Sequence, residues 1–251
     1  VKLVYGQVHT IAAYDPMQKV GYPYGGEYDL LLVAFPFGED FIEQVRTYQR
    51  DLHVKATLVF STTAIGTCSQ LGAVHCPIEG RHPDLAESIG ATSRWLGGHD
   101  PLVEQFFDEA HTLYRVLPKP EHTEALKLMS TTNYGVAIEY ARYCKSVCDD
   151  IGMDYENVKE WTRWYNALYA GHFGMDWAKR PVLDPPVGAI GGHCVVPNAR
   201  ILQKQYPDAL VGVVAGEDGP CPCCSEPGTP ARPNLESSEW VCDCSCHPWE
   251  D

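Results

Sequence analysis

Cys194 lies in Gly191-Gly-His-Cys194-Val-Val-Pro-Asn198, behind a glycine pair and ahead of a proline. A glycine pair lets the backbone approach a ligand closely or take positive φ. A thiol held in such a loop is suited to nucleophilic attack once it becomes a thiolate. The same spacing also fits a buried cysteine in a tight turn. His75, Arg81 and His82 stand around Pro77 and Gly80 in what reads as a loop, and side chains of this kind on a loop suit binding of a phosphate or a sugar. A third group is at the far end. Cys221, Cys223 and Cys224 precede a polar, Pro-rich stretch, and Cys242, Cys244 and Cys246 follow it. Cys221 and Cys224 have C-x-x-C spacing, and with Cys242 and Cys244 they could close a tetrahedral thiolate site for structural zinc. The metal would supply folding energy that a segment with few core residues lacks. An oxidation-prone, disordered tail fits the same cysteines.

These groups need a scaffold, and the hydrophobic pattern supplies one. Val8–Tyr14 reads as a strand ending at Asp15-Pro16, and Tyr28–Phe35 as a strand covered on both faces. Phe41, Ile42, Val45 and Leu52 have helical spacing over residues 39–52. Strands follow at 55–60 and 72–75, then a helix over 100–112 and a strand over 113–117. Strands alternating with helices indicate a mostly parallel α/β sheet. From Pro120 the pattern turns helical. One long helix runs over 121–151 and ends at Gly152. A second covers 154–169, a Pro- and Gly-rich loop covers 180–192, and a short helix covers 198–205.

Bulk properties exclude several classes. The chain has 251 residues, 45% hydrophobic and 21% charged, which is ordinary globular material. A net charge of −14 argues against a nucleic-acid partner, for which a basic face is expected. No apolar run approaches the roughly 20 residues of a membrane span. Eleven cysteines with a crowded end and a scattered body fit a reducing cytoplasm better than a secreted disulfide scaffold.

Four segments in order resemble the UDP-glucose/GDP-mannose (nucleotide-sugar) dehydrogenase family, over about residues 9 to 206. They are Phe60-Ser-Thr-Thr-Ala-Ile-Gly-Thr67, Thr123-Glu-Ala-Leu-Lys127-Leu-Met-Ser-Thr-Thr-Asn133, the Trp-Tyr-Asn within Trp161–Tyr169, and the Cys194 loop. The Pro-Ile-x-Gly-x-His-Pro run at 77–83 is similar to a shorter branch of that family. The resemblance implies an NAD-dependent oxidoreductase that oxidises a sugar alcohol through a thiohemiacetal and thioester on Cys194, with Lys127 stabilising oxyanions. It implies a truncated Rossmann-like domain at 1–118, a helical central domain at 119–206 that makes a homodimer, and a Cys-rich tail at 207–251. It also implies a small-molecule sugar or nucleotide-sugar substrate and a place in polysaccharide biosynthesis. Asp15 would accept from the adenosine ribose, favouring NAD over NADP, although an Asp before Pro16 also suits a plain turn. Pro36 and Thr62 would border the dinucleotide. His193 joins His75, Arg81 and His82 as a candidate substrate contact, although beside Cys194 it reads first as structural.

The sequence departs from the family pattern at three catalytic positions. Thr131 stands where the family has asparagine, Asn198 where it has aspartate, and Ile78 where it has glutamate, with Glu79 one residue later. An amide cannot serve as a base at neutral pH. The opening Gly-x-Gly-x-x-Gly turn is also missing, which reads as truncation ahead of Val1. A non-catalytic sugar- or protein-binding relative with a zinc-binding interaction tail is the alternative that these departures favour.

Overall fold

The computed structural model describes residues 2–15, 27–80, 84–188, 190, 194–216, 231–233 and 240–242. The chain divides into two compact units, Val1–Lys127 and Leu128–Asp251.

The first unit is α/β. After a short helix α1 (Lys2–Tyr5) come β1 (Leu30–Val33), α2 (Phe41–Asp51), β2 (Ala56–Val59), α3 (Thr67–Leu71), β3 (Val74–His75), α4 (Leu85–Ala91), β4 (Arg94–Gly97), α5 (Pro101–Glu109) and β5 (Tyr114–Leu117). The five strands lie in sequence order. β1, β2 and β3 are parallel, β3 meets β4 antiparallel, and β4 and β5 are parallel. Every residue of β2 is buried, as a strand covered on both faces requires. Leu58 joins an apolar cluster with Tyr5, Leu96, Val103, Phe106 and Phe107. Its neighbour Val59 joins a different cluster with Val33, Phe41, Val45, Cys68 and Leu71. Alternate side chains of one strand thus feed two cores. α5 starts where the sequence places a cap and a proline: the Asp100 carboxylate accepts from the backbone N–H groups of Leu102 and Val103, and Pro101 opens the first turn.

One expectation needs correction here. Residues 8–14 form no strand, and Asp15 makes only an isolated bridge. Val8 is 54% and Tyr14 40% exposed, while Ile11 packs, partly buried, against the cluster around Leu58. The sheet is mostly parallel, as expected, with β3 and β4 antiparallel, and α4 and β4 are elements that the periodicity did not show. Arg94 explains part of that. It is a cation at a buried strand position, satisfied by the carbonyls of Ile89 and Thr92 and by the Thr92 hydroxyl.

α6 (Pro120–Ile151) begins in the first unit and continues in the second. The second unit also contains α7 (Glu156–Asn166), a π-helical turn Ala167–His172, a 3₁₀ turn Asp176–Ala178, α8 (Val195–Gln205) and α9 (Ala209–Ala215). Its backbone also shows a hairpin of β6 (Ala231–Pro233) and β7 (Trp240–Cys242). Val195, Ala199, Val214 and Ala215 form its buried centre, with Val136 against them. Gly135 allows that packing, because a Cβ there would stand 2.3 Å from Val214 Cγ1 and 2.7 Å from Val195 Cγ1. Among the described residues, no helix is long and apolar enough to cross a membrane.

Candidate active site

In the first unit the loops leaving β1, β2 and β3 share one edge of the sheet, because those strands are parallel. In open α/β sheets, ligands bind at the carboxyl ends of strands. Pro36 is exposed in the loop after β1, and Thr62 is half-buried in the loop after β2. Ser61 Oγ donates to Phe35 O at 2.6 Å, tying these two loops together. Asp15 is half-buried.

The first two turns of α6 are bonded into the same edge. Thr123 and Glu124 are both fully buried. Glu124 accepts three hydrogen bonds: Oε1 from Thr63 Oγ1 at 3.0 Å and from the backbone N–H of Cys68 at 2.8 Å, and Oε2 from the backbone N–H of Gly66 at 2.6 Å. Gly66 is the N-cap of α3 and has φ +92°, a conformation that glycine alone takes without strain. The carboxylate therefore caps α3 from another element. One turn on, Lys127 Nζ donates to Ile78 O at 2.8 Å, so the ammonium reaches the chain just beyond β3.

His75, expected among the substrate contacts, lies in β3, at the end of the short strand expected at 72–75, and is fully buried. Its Nε2 lies 3.1 Å from Ser61 O and its Nδ1 lies 2.8 Å from Thr123 Oγ1. A carbonyl can only accept, so the proton sits on Nε2 and Nδ1 receives the Thr123 hydroxyl proton. Burial pushes the imidazole pKa down to about 4. The Ser61 bond opposes that shift, and the Lys127 ammonium adds to it. Both nitrogens are bonded inside the core, which ties β3 to α6 and to the loop after β2. Glu79 is exposed and lines an open depression with Asp84, Glu87 and Ser88. That depression is acidic and would repel a phosphate. Arg81, His82 and His193 lie outside the described residues.

In the second unit Cys194 is exposed at the N-cap of α8, and its side chain makes no capping hydrogen bond. Its carbonyl accepts from the backbone N–H of Asn198 at 3.0 Å. One turn into the helix, the buried Asn198 donates through Nδ2 to Thr131 Oγ1 at 3.0 Å. The structure thus joins these two residues as a neutral amide–hydroxyl pair. Glu124 was missed in the sequence. A glutamate in the first turns of a helix reads as a partner of the helix dipole, and the signal against that was its position four residues before the apolar Leu128. Among the described residues, no group of three or more His, Cys, Asp or Glu could hold a metal ion. Cys221, Cys224 and Cys244 lie outside the described residues, and Cys242 is described only as backbone of β7.

No family model and no curated protein matches the chain. Solved structures do. A UDP-D-ManNAc dehydrogenase from Pyrococcus horikoshii is 15% identical with a TM-score of 0.61, over 74% of this chain and 49% of that one. A UDP-glucose dehydrogenase from Pyrobaculum islandicum is 17% identical with a TM-score of 0.57, over 74% of this chain and 49% of that one. The 3-hydroxyisobutyrate dehydrogenase of Mycobacterium tuberculosis is 11% identical with a TM-score of 0.51, over 74% of this chain and 72% of that one. The chain spans about half the length of the nucleotide-sugar dehydrogenases it matches. At these identities the likeness is one of fold: the chain shares an α/β architecture with these structures over about three quarters of its length.

Proposed function

We propose that this chain is an NAD-dependent oxidoreductase acting on a sugar alcohol, carried as the free sugar or as a nucleotide sugar, with Cys194 as its nucleophile. The observation that carries the reading is the exposed Cys194 thiol at the start of α8, uncommitted to any cap, within the one segment that most resembles the nucleotide-sugar dehydrogenases. The tied loops after β1 and β2 would hold the dinucleotide, with Pro36 and Thr62 bordering it and Asp15 accepting from a ribose hydroxyl. The bound cofactor supplies a hydride acceptor in each oxidation.

The chain's own residues do the rest. The alcohol loses its hydroxyl proton and a hydride and becomes an aldehyde. The Cys194 thiolate adds to the aldehyde carbon, forming a C–S bond and placing negative charge on the carbonyl oxygen. A nearby ammonium would stabilise this charge, the role that the family resemblance gives to Lys127. Loss of a second hydride leaves a thioester, and water breaks the C–S bond to release the acid and regenerate the thiol.

The test measures NADH and sugar acid formed from candidate sugar nucleotides by the wild-type protein and by Cys194→Ala. Wild-type turnover to the acid, with the acid lost in Cys194→Ala, is expected. Unchanged acid production in the variant would remove Cys194 from the mechanism, and no cofactor reduction with any substrate would overturn the oxidoreductase reading. The neutral Asn198–Thr131 pair favours a second reading, a sugar- or protein-binding relative without turnover, because neither residue can take a proton. That reading predicts sugar binding with no NADH.

A further inference from the structure

Glu124 is a fully buried carboxylate that the proposed chemistry does not use, and all of its described bonds go to one loop. Burying a carboxylate is costly unless several donors meet it. Here a hydroxyl and two backbone N–H groups do so. The two N–H groups belong to the first turn of α3, where an anion is favoured. Glu124 therefore supplies the negative charge at that turn from within the protein. The loop it holds, residues 61–68, contains Thr62 and leaves the sheet at the edge where the other strand-end loops gather. Ser61, at the start of that loop, bonds to Phe35 O and receives the His75 Nε2–H. One helical turn of α6 thus fixes the loop after β2, which in turn fixes the loop after β1.

We infer that Glu124 is a positioning residue: its carboxylate presets the loop at residues 61–68 in the conformation that receives the dinucleotide, so that binding does not have to order it. The inference rests on the oxidoreductase reading for its ligand, and on the hydrogen bonds alone for the loop. A preorganised loop favours binding by removing the ordering cost that a free one would carry.

Glu124→Gln tests both halves. A carboxamide has one accepting atom and one donating group. With its oxygen kept on the side that serves Thr63 and Cys68, its NH₂ faces the Gly66 N–H, and that bond is lost. The turned-over orientation loses the Cys68 N–H instead. Amide hydrogen exchange should therefore show one of these two N–H groups losing protection, with the buried strand β2 unchanged. In steady-state kinetics, KM for NAD should rise on the order of tenfold while kcat stays within about twofold, as expected for lost uniform binding. Thr63→Val, which leaves the carboxylate in place, should keep Gly66 protected and raise KM less. Unchanged exchange at both Gly66 and Cys68 would overturn the loop assignment. Released exchange with unchanged KM would show that the cofactor does not use this loop and would overturn the positioning role. If the wild-type protein binds no dinucleotide, the functional reading falls and takes the cofactor half with it, while the exchange pattern still decides whether Glu124 holds the loop.

Discussion

Asn198 and Thr131 are bonded amide to hydroxyl at 3.0 Å, with Asn198 only 5% exposed. The pair connects α8, one turn past Cys194, to α6. Asn198→Ala should cost about 1 kcal/mol, the net worth of a typical hydrogen bond. Asn198→Asp keeps the size, and the Thr131 hydroxyl can reverse to donate to it, but the variant buries a charge. It should be less stable than wild type at neutral pH by about 1–3 kcal/mol, and the deficit should shrink as the carboxyl is protonated in acid. Urea unfolding of both variants and of Thr131→Val, analysed as a double-mutant cycle, checks this. A coupling near zero would mean the bond does not form in solution.

Gly135 should tolerate no side chain. A Cβ there would meet two valine methyl groups at distances no packed core accepts. Gly135→Ala should destabilise the second unit by about 1–3 kcal/mol through overpacking, although alanine is the better helix former. Adding Val214→Ala should recover part of the loss by removing the nearer methyl. If Gly135→Ala alone raises the unfolding midpoint, α6 and α9 do not pack as closely as the structure has them.

What the sequence made legible follows from how local each signal is. The Asp100-Pro101 start of α5, the apolar run of β1 and the helical stretch opened by Pro120 are patterns of neighbouring residues, and the structure has each of them. The strand expected at residues 8–14 failed because a local run of residues says nothing about which partner strand will accept its hydrogen bonds. β4 was hidden by Arg94, whose burial depends on carbonyls supplied by Ile89 and Thr92. The Cys194 loop was legible as a motif. The bond between Asn198 and Thr131 was not, since nothing local to either residue specifies a partner in another helix. The short strand ending at His75 was legible, but the burial of its side chain was not, because Pro77 and Gly80 follow so closely. Its burial depends on Thr123 and Ser61, each distant in the chain.

His75 gives the first unit an acid-sensitive fold. Its folded pKa is depressed to about 4 from 6.5, so the unfolded chain binds a proton in that window and the folded chain does not. Stability from this group is therefore fully present above about pH 6.5 and is lost as pH falls toward about 4, by on the order of 3 kcal/mol in total. Urea midpoints measured between about pH 7.5 and pH 4.5 should fall with this sign, and His75→Gln should flatten the dependence while lowering stability at neutral pH. A midpoint independent of pH in the wild-type protein would show that the imidazole is solvated.

Cys194 should stand apart from the other cysteines of the body in its reactivity. Cys68, Cys76 and Cys148 are buried, and Cys144 is half-buried. Burial pushes the Cys76 thiol up to about 12, with Arg94 opposing. Burial, reinforced by the Glu124 carboxylate, pushes the Cys68 thiol up as well. Thiols held protonated in this way are poor nucleophiles. Brief treatment of the native protein with iodoacetamide, read by peptide mass mapping, should modify Cys194 ahead of these four. Bound substrate should slow that modification if the thiol faces the reacting carbon. Labelling of Cys68 or Cys76 before Cys194 would contradict the burial that makes Cys194 the available nucleophile.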